Sequence, residues 1–266
     1  MKRILQVSNI IMFGVVLFVN YISNTAALNN STIGEVSKSV QNLFTPAGYA
    51  FSIWGLIYIL LLGFIIYQSR SLFRSVRDDS FIEKTAWWFV ISCAANVAWI
   101  LLWLYGYFGF SMVAIFVLLF SLFKIVYKNQ MELWDAPFSV ILFLWWPFVI
   151  YSGWVTVASI ANVAAYLTSI EWKGWGLSDT VWTVIMIVIA GVINITLILK
   201  RNMREFALVG VWALIAIAVA NWDTNELVTN TALFTAALLF SSAAIHGIKN
   251  RATNPFKKLK QHFNSK

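Results

Sequence analysis

Long apolar stretches alternate with short polar segments along the whole chain. Eight of them, at 7–28, 47–68, 85–106, 110–127, 137–167, 180–199, 206–222 and 227–248, are long enough to be read as bilayer crossings. A hydrocarbon core of about 30 Å takes roughly 20 residues of helix, and within it every backbone polar group must find its partner inside the segment. The pattern therefore predicts an all-α fold, a polytopic membrane helical bundle of eight transmembrane helices. The stretch at 137–167 is the longest and contains Pro147. It is read as one tilted crossing kinked at the proline, because the charges of the flanking loops require a single passage there.

Composition removes the other classes. Hydrophobic residues make up 60% of the 266, charged residues 11%, and the mean hydropathy is +0.76. A soluble domain carries about a quarter charged residues, and a disordered chain has low hydrophobicity and high net charge. The formal charge of +8 would raise nucleic acid as a partner, but its placement speaks for topology. With the N-terminus inside, all of the 19 basic residues except Lys38 and Lys173 fall on the cytoplasmic side, while the 11 acidic residues split almost evenly. This is the positive-inside distribution, and it puts both termini in the cytoplasm of a multi-pass cell-membrane protein. The basic tail at 249–266 faces anionic headgroups. The first stretch follows Lys2 and Arg3 and ends in Ser23, Asn24, Thr25, Ala26 and Ala27, so a cleaved signal peptide is its alternative reading.

The candidate chemistry is sparse. Cys93 is a single cysteine, His246 and His262 are far apart, and no phosphate-binding loop, nucleophile elbow or zinc motif occurs. No metal site and no catalytic group is expected. Ionisable residues are nearly absent from the crossings, Lys124 lying one turn from an inner end, which leaves ion-coupled transport without a carboxylate at the midplane.

Tryptophan is what stands out, with 14 residues. Trp134, Trp172, Trp175, Trp182 and Trp222 lie at or beyond span ends and are expected in the interfacial aromatic belt, with Trp87 and Trp88. Trp54, Trp99, Trp103, Trp145, Trp146, Trp154 and Trp212 lie deeper, where an indole N–H needs a partner or a cavity. Phe51, Trp54 and Tyr58 share one helical face, as do Asn96, Trp99 and Trp103, and Trp154, Ala158 and Asn162 share another. If the three faces meet, they line an apolar, aromatic hollow about 10 Å below the extracytoplasmic surface, with a few amide donors. Asn96 and Asn162 acting only as interhelical packing glue, with the rings filling space, is the competing reading.

Three segments carry a family resemblance. Thr45-Pro46-Ala47-Gly48-Tyr49-Ala50-Phe51-Ser52-Ile53-Trp54-Gly55-Leu56-Ile57-Tyr58 is similar to the Pro-Pro-x-Trp-x-Phe-x-x-x-Trp-x-x-Leu-Tyr stretch of the TspO/MBR family, the tryptophan-rich sensory proteins related to the mitochondrial translocator protein. Ala95-Asn96-Val97-Ala98-Trp99 resembles its third-helix Leu-Asn-x-x-Trp. Trp154-Val155-Thr156-Val157-Ala158-Ser159-Ile160-Ala161-Asn162 resembles its fifth-helix Trp-x-x-Phe-Ala-x-x-Leu-Asn. Here Pro147 precedes Trp154 by seven residues where the family has four, which leaves Tyr151 and Trp154 as alternatives for one site position.

The resemblance covers 4–168. It implies a five-helix bundle with a ligand pocket, followed in this chain by a further three-helix segment at 178–248 that carries no motif. It also implies porphyrin or sterol-like ligands and roles in sensing, transport or light-dependent porphyrin breakdown, with Trp54, Asn96, Trp99, Trp154 and Asn162 carried over. A membrane binding protein is expected, a transporter being the alternative and a porphyrin-degrading enzyme a third. No cofactor beyond a candidate tetrapyrrole ligand is expected. The partners are membrane lipid and a hydrophobic small molecule, not nucleic acid, with a homodimer left open.

Overall fold

The computed structural model describes residues 1–76 and 78–250; Arg77 and the tail from Arg251 onward, including His262, lie outside it. The described residues form helices and no strands. In chain order these are α1 (Lys2–Asn24), α2 (Ile33–Ser39), α3 (Ile53–Phe73), α4 (Phe81–Thr85), α5 (Trp88–Leu104), α6 (Phe108–Lys128), α7 (Phe138–Val140), α8 (Trp146–Ser169), α9 (Asp179–Arg201), α10 (Arg204–Ala220) and α11 (Glu226–Lys249). Long helices fill all eight predicted stretches. Six are long and apolar enough to cross a membrane, among them Gly48–Phe73, which includes the 3-10 turn Gly48–Ser52 ahead of α3, and Phe138–Ser169. The remaining two, α5 and α10, have 17 residues each.

The long fifth stretch is a single helical run. Between α7 and α8 it passes through a π-helical turn, Ile141–Trp145, directly before Pro147. Proline has no N–H to donate, so the ladder must be reorganised at that point, and a widened turn is one way to do so. Around α8 stand α3, α6 and α10. α1 lies on α5 and α3, and α9 and α11 stack outside α10.

Apolar burial drives little helix association in lipid, so close packing and interhelical hydrogen bonds carry it. A Cβ on Gly153 of α8 would stand 3.0 Å from the Phe206 carbonyl oxygen of α10, and one on Gly191 of α9 would stand 2.8 Å from Thr235 Cγ2 of α11. α10 buries Ala207, Ala213, Ala216 and Ala218 completely. Small residues thus let α10 approach α8 closely, and α11 approach α9. At the other flank, Gln6 Nε2 donates to the Gln68 carbonyl at 2.6 Å and Asn9 Nδ2 to Gln68 Oε1 at 2.9 Å, joining α1 to α3.

The bundle has two ends. The terminal end carries the start of α1, the end of α11, the described residues of the 74–87 loop, the 129–137 loop and the α9–α10 turn. The loop end carries the 25–47 segment, the α8–α9 loop and the α10–α11 turn. On the terminal end Lys2 Nζ meets Asp79 Oδ1 at 2.7 Å, and Asn202, left-handed at φ 58°, donates through Nδ2 to the Glu132 carbonyl at 2.8 Å.

Candidate functional site

The site is assembled at the loop end from α3, α5 and α8. Trp54 starts α3, and its ring lies between two others: 5.6 Å and 19° from Tyr58, and 6.1 Å and 30° from Trp99. Trp103 continues the column, 6.2 Å and 29° from Trp99. From α8, Trp154 meets Trp54 edge-on at 6.3 Å, and Phe51 meets Trp154 edge-on at 6.0 Å. Each such aromatic pair contributes about 0.5–1.5 kcal/mol beyond the area it buries.

Beside the column is a hollow lined by Phe51, Trp54, Trp99, Trp103, Trp154 and Asn162, with Val157, Ala158, Ala161 and Ala165 on the α8 side. The roof comes from the 33–46 segment through Ile33, Ser37, Val40, Thr45 and Pro46. The free space is about 40 Å³. At 10–15 Å³ per water centre it would take about three water molecules. The rings that the helical faces were expected to hold apart therefore meet one another, and the hollow is mostly filled by its own lining. No charged side chain among the described residues lines it.

The predicted site residues divide into two groups. Phe51, Trp54, Trp99, Trp103, Trp154 and Asn162 stand on the wall. Asn96, Tyr58 and Tyr151 do not. Asn96 is fully buried, accepts from Asn20 Nδ2 of α1 at 3.2 Å and donates to Tyr151 Oη at 3.0 Å. Its amide is spent on joining α1, α5 and α8, which is the packing role. Tyr58 Oη is buried without a hydrogen-bond partner. Tyr151 turns its ring edge to Trp54 at 5.7 Å, so of the two alternatives for one position it is Trp154 that reaches the hollow. Asn162 does both, lining the hollow while exchanging hydrogen bonds with Ser111 of α6 at 3.1 and 3.3 Å.

The indole N–H groups differ in what they find. Trp103 Nε1 donates to the Ile33 carbonyl at 3.2 Å, so it ties the roof to α5. Trp99 Nε1 and Trp154 Nε1 are buried and have no partner. An unmade hydrogen bond at a buried donor costs about 1–3 kcal/mol, and a ligand oxygen or nitrogen at the wall would recover it. With the side chains of Asn162, Ser37 and Thr45, these two donors make up the polar chemistry of the residues around the hollow.

Sequence reasoning did not place the roof or what holds it. The roof helix α2 is started by a capping box, Thr32 Oγ1 accepting from Glu35 N while Glu35 Oε2 accepts from Thr32 N. The Thr32-x-x-Glu35 spacing was a readable signal for it. Further on, the segment is fastened to α10. Ala47 N donates to the Ala216 carbonyl at 2.9 Å, Asn221 Nδ2 to the Leu43 carbonyl at 2.9 Å, and Trp212 Nε1 to the Ala50 carbonyl at 3.2 Å. Tyr49 adds an edge contact to Trp212 at 5.2 Å. These partners are separated by more than 160 residues, and no local pattern announces them.

The tryptophans expected at the span ends differ in exposure, Trp88, Trp172 and Trp182 being half-buried. Trp175 and Trp222 are largely exposed, and Trp87 and Trp134 a little under half. Trp172, Trp175 and Trp182 gather at the α8–α9 loop.

A family model described as "TSPO-like protein" matches residues 6–245. The match runs over α9, α10 and most of α11 as well as the five preceding long helices. No curated protein and no solved structure matches the chain.

Proposed function

The chain belongs to the TSPO-like family, and from that membership together with the indole column we propose that it binds a flat hydrophobic ligand, porphyrin- or sterol-like, between α3, α5 and α8. The observation that carries this reading is the pair of buried, unpartnered donors, Trp99 Nε1 and Trp154 Nε1, on an otherwise apolar aromatic wall. Trp145 Nε1 and Trp146 Nε1, away from the hollow, are buried without a partner as well, so it is the place of Trp99 and Trp154 on the wall, and not the lack of a partner alone, that supports a ligand there.

The closed hollow sets a condition on binding. A flat ring between two others needs about 7 Å from ring to ring, twice the usual carbon contact of about 3.5 Å. Trp54 and Trp99 stand 6.1 Å apart. That distance is between centroids of offset rings that already meet, so admitting the plane of the ligand means parting them by one ring thickness, about 3.5 Å, after which ligand–ring contacts replace ring–ring contacts. Trp54 is half-buried at the start of α3 and is the ring with room to move. The ligand body beyond the rings displaces the roof at Val40, Thr45 and Pro46. A ligand acceptor atom takes the indole N–H groups, while a carboxylate finds no cation on the wall.

In this reading all eight long helices cross the bilayer, and the terminal end, which holds most of the basic residues, faces the cytoplasm of a multi-pass protein. Two 17-residue helices reach about 26 Å at 1.5 Å per residue, somewhat short of the hydrocarbon core, a mismatch that local thinning accommodates. The site then lies near the extracytoplasmic surface.

Titration of the purified protein with protoporphyrin, followed by tryptophan fluorescence, tests the proposal. Saturable quenching is expected in the wild type, with at least a tenfold loss of affinity in Trp54→Ala/Trp99→Ala. Equal quenching in the two proteins would remove the site.

A further inference from the structure

A second hollow, about 770 Å³, lies on the other side of the 41–45 segment from the indole column. Its volume is in the range of small-molecule sites, which run from about 300 to 1,000 Å³. It exists because α10 packs against both α8 and α9 while α8 and α9 stand apart at the loop end. The helix α8 is a partition: Ala158, Ala161 and Ala165 face the first hollow, while Ile160, Val163, Ala164 and Leu167 face the second.

The walls change character along the helices. The inner part is apolar, with Ile160, Val163, Ala164 and Met186. Ile160 lies nine residues before the end of α8, or about 14 Å from the mouth. The mouth carries Glu171, Trp172, Lys173, Asp179 and Trp182. Two carboxylates face one ammonium there. Trp172 and Trp182 stand 5.2 Å apart at 53°, and Trp182 Nε1 donates to the Gly174 carbonyl at 2.7 Å, which holds that ring in place.

The loop that builds this mouth is strained. Glu171 at φ 52° and Trp175 at φ 49° are left-handed without being glycine, and Gly174 and Gly176 are left-handed as well. Such conformations cost about 1–3 kcal/mol each and persist where the surrounding structure imposes them, often at sites of function.

We propose that this second hollow binds an amphiphile with an ammonium head. Its apolar body lies along Ile160, Val163, Ala164 and Met186, and its head sits at the mouth between Glu171 and Asp179, against the indoles of Trp172 and Trp182. Carboxylates supply the Coulomb attraction, and indole faces attract cations. α9 and the end of α10 thereby give the α8 face a second wall. The inference does not rest on the ligand assigned to the indole column, because the two hollows share only Thr45.

The test uses the full chain in a nonionic detergent and native mass spectrometry, with hexadecyltrimethylammonium and hexadecyl sulfate as probes. One equivalent of the ammonium amphiphile is expected to be retained at least tenfold more tightly than the sulfate. Glu171→Gln/Asp179→Asn is expected to lower its retention at least tenfold, and Ala164→Trp to block it, with the melting temperature confirming the fold of each variant. Trp54→Ala/Trp99→Ala is expected to leave it unchanged, so failure of the indole site and failure of this one are separable. A second arm offers phosphatidylethanolamine against phosphatidylglycerol in nanodiscs. Selective retention of phosphatidylethanolamine, weakened by Lys173→Ala, assigns the head to a bilayer lipid, whereas retention of the phosphate-free amphiphile alone assigns it to a free cationic compound. Equal retention of ammonium and sulfate, several equivalents bound without selectivity, or an unaffected charge-neutral double variant would overturn the proposal.

Discussion

Gly153→Ala tests whether the last three helices are part of the site's frame. The added Cβ would stand 3.0 Å from the Phe206 carbonyl oxygen, 3.1 Å from Val209 Cβ and 3.3 Å from Phe206 Cα. Two of these atoms belong to the α10 backbone, so no rotamer change relieves them, and α8 and α10 must part by a few tenths of an ångström. Two effects oppose each other. Alanine is favoured over glycine in a helix by up to about 1 kcal/mol. Forcing a methyl into a packed contact costs about 1–3 kcal/mol. The net is a loss of about 0–2 kcal/mol. Gly14→Ala in α1 is the control, because nothing lies within 4 Å of its Cβ position and only the gain remains. The two variants are thus expected to differ by about 1–3 kcal/mol, which at roughly 2–4 °C per kcal/mol separates their melting temperatures measurably. Circular dichroism in detergent reads it, and Gly153→Ala/Val209→Ala is expected to recover part of the loss. If Gly153→Ala melts as high as Gly14→Ala, α8 and α10 are not in close contact and the bracing of the roof by α10 falls with it.

Other expectations follow from individual bonds and charges. Asn221→Ala leaves the Leu43 carbonyl without its partner and also removes the bond to the Ile217 carbonyl, at a cost of about 1–3 kcal/mol; hydrogen exchange should rise in 41–47 ahead of the rest of the bundle. Trp103→Phe removes the indole bond to the Ile33 carbonyl that ties the roof to α5, whereas Trp99→Phe removes a donor that has no partner, so Trp103→Phe is expected to melt lower than Trp99→Phe. In the 129–137 loop, burial pushes the Glu132 carboxyl up to about 9, the nearby Glu205 adding to the shift and Arg204 opposing it. The folded protein then keeps a proton that the unfolded chain gives up near the ordinary value of about 4.3. Stability from this group is complete below that value and is lost as pH rises toward 9, so melting temperature should fall across this window and Glu132→Gln should flatten the slope.

The extent of the helices was legible in the sequence because a bilayer imposes length and apolarity on each crossing, and long helices occupy all eight stretches. The faces of the site were legible for a related reason. Helical periodicity alone places Phe51 with Trp54, Trp99 with Trp103, and Trp154 with Asn162. The capping box of α2 and the reorganised turn before Pro147 also have local causes.

What periodicity does not carry is distance between faces and the choice of partner. Whether Asn96 serves a ligand or a neighbour depends on Asn20 and Tyr151, which reach it from helices far away in the chain. Whether three aromatic stripes leave a hollow depends on how closely α3, α5 and α8 approach, which the spacing within one helix does not set. The roof lies over the column because Leu43, Ala47 and Ala50 find their hydrogen-bond partners on α10. Apolarity and spacing, properties of single segments, were decided by the sequence alone; the closure of the indole column, the fate of each amide and the second hollow beside α8 are properties of pairs of segments, and only their packing in three dimensions decided them.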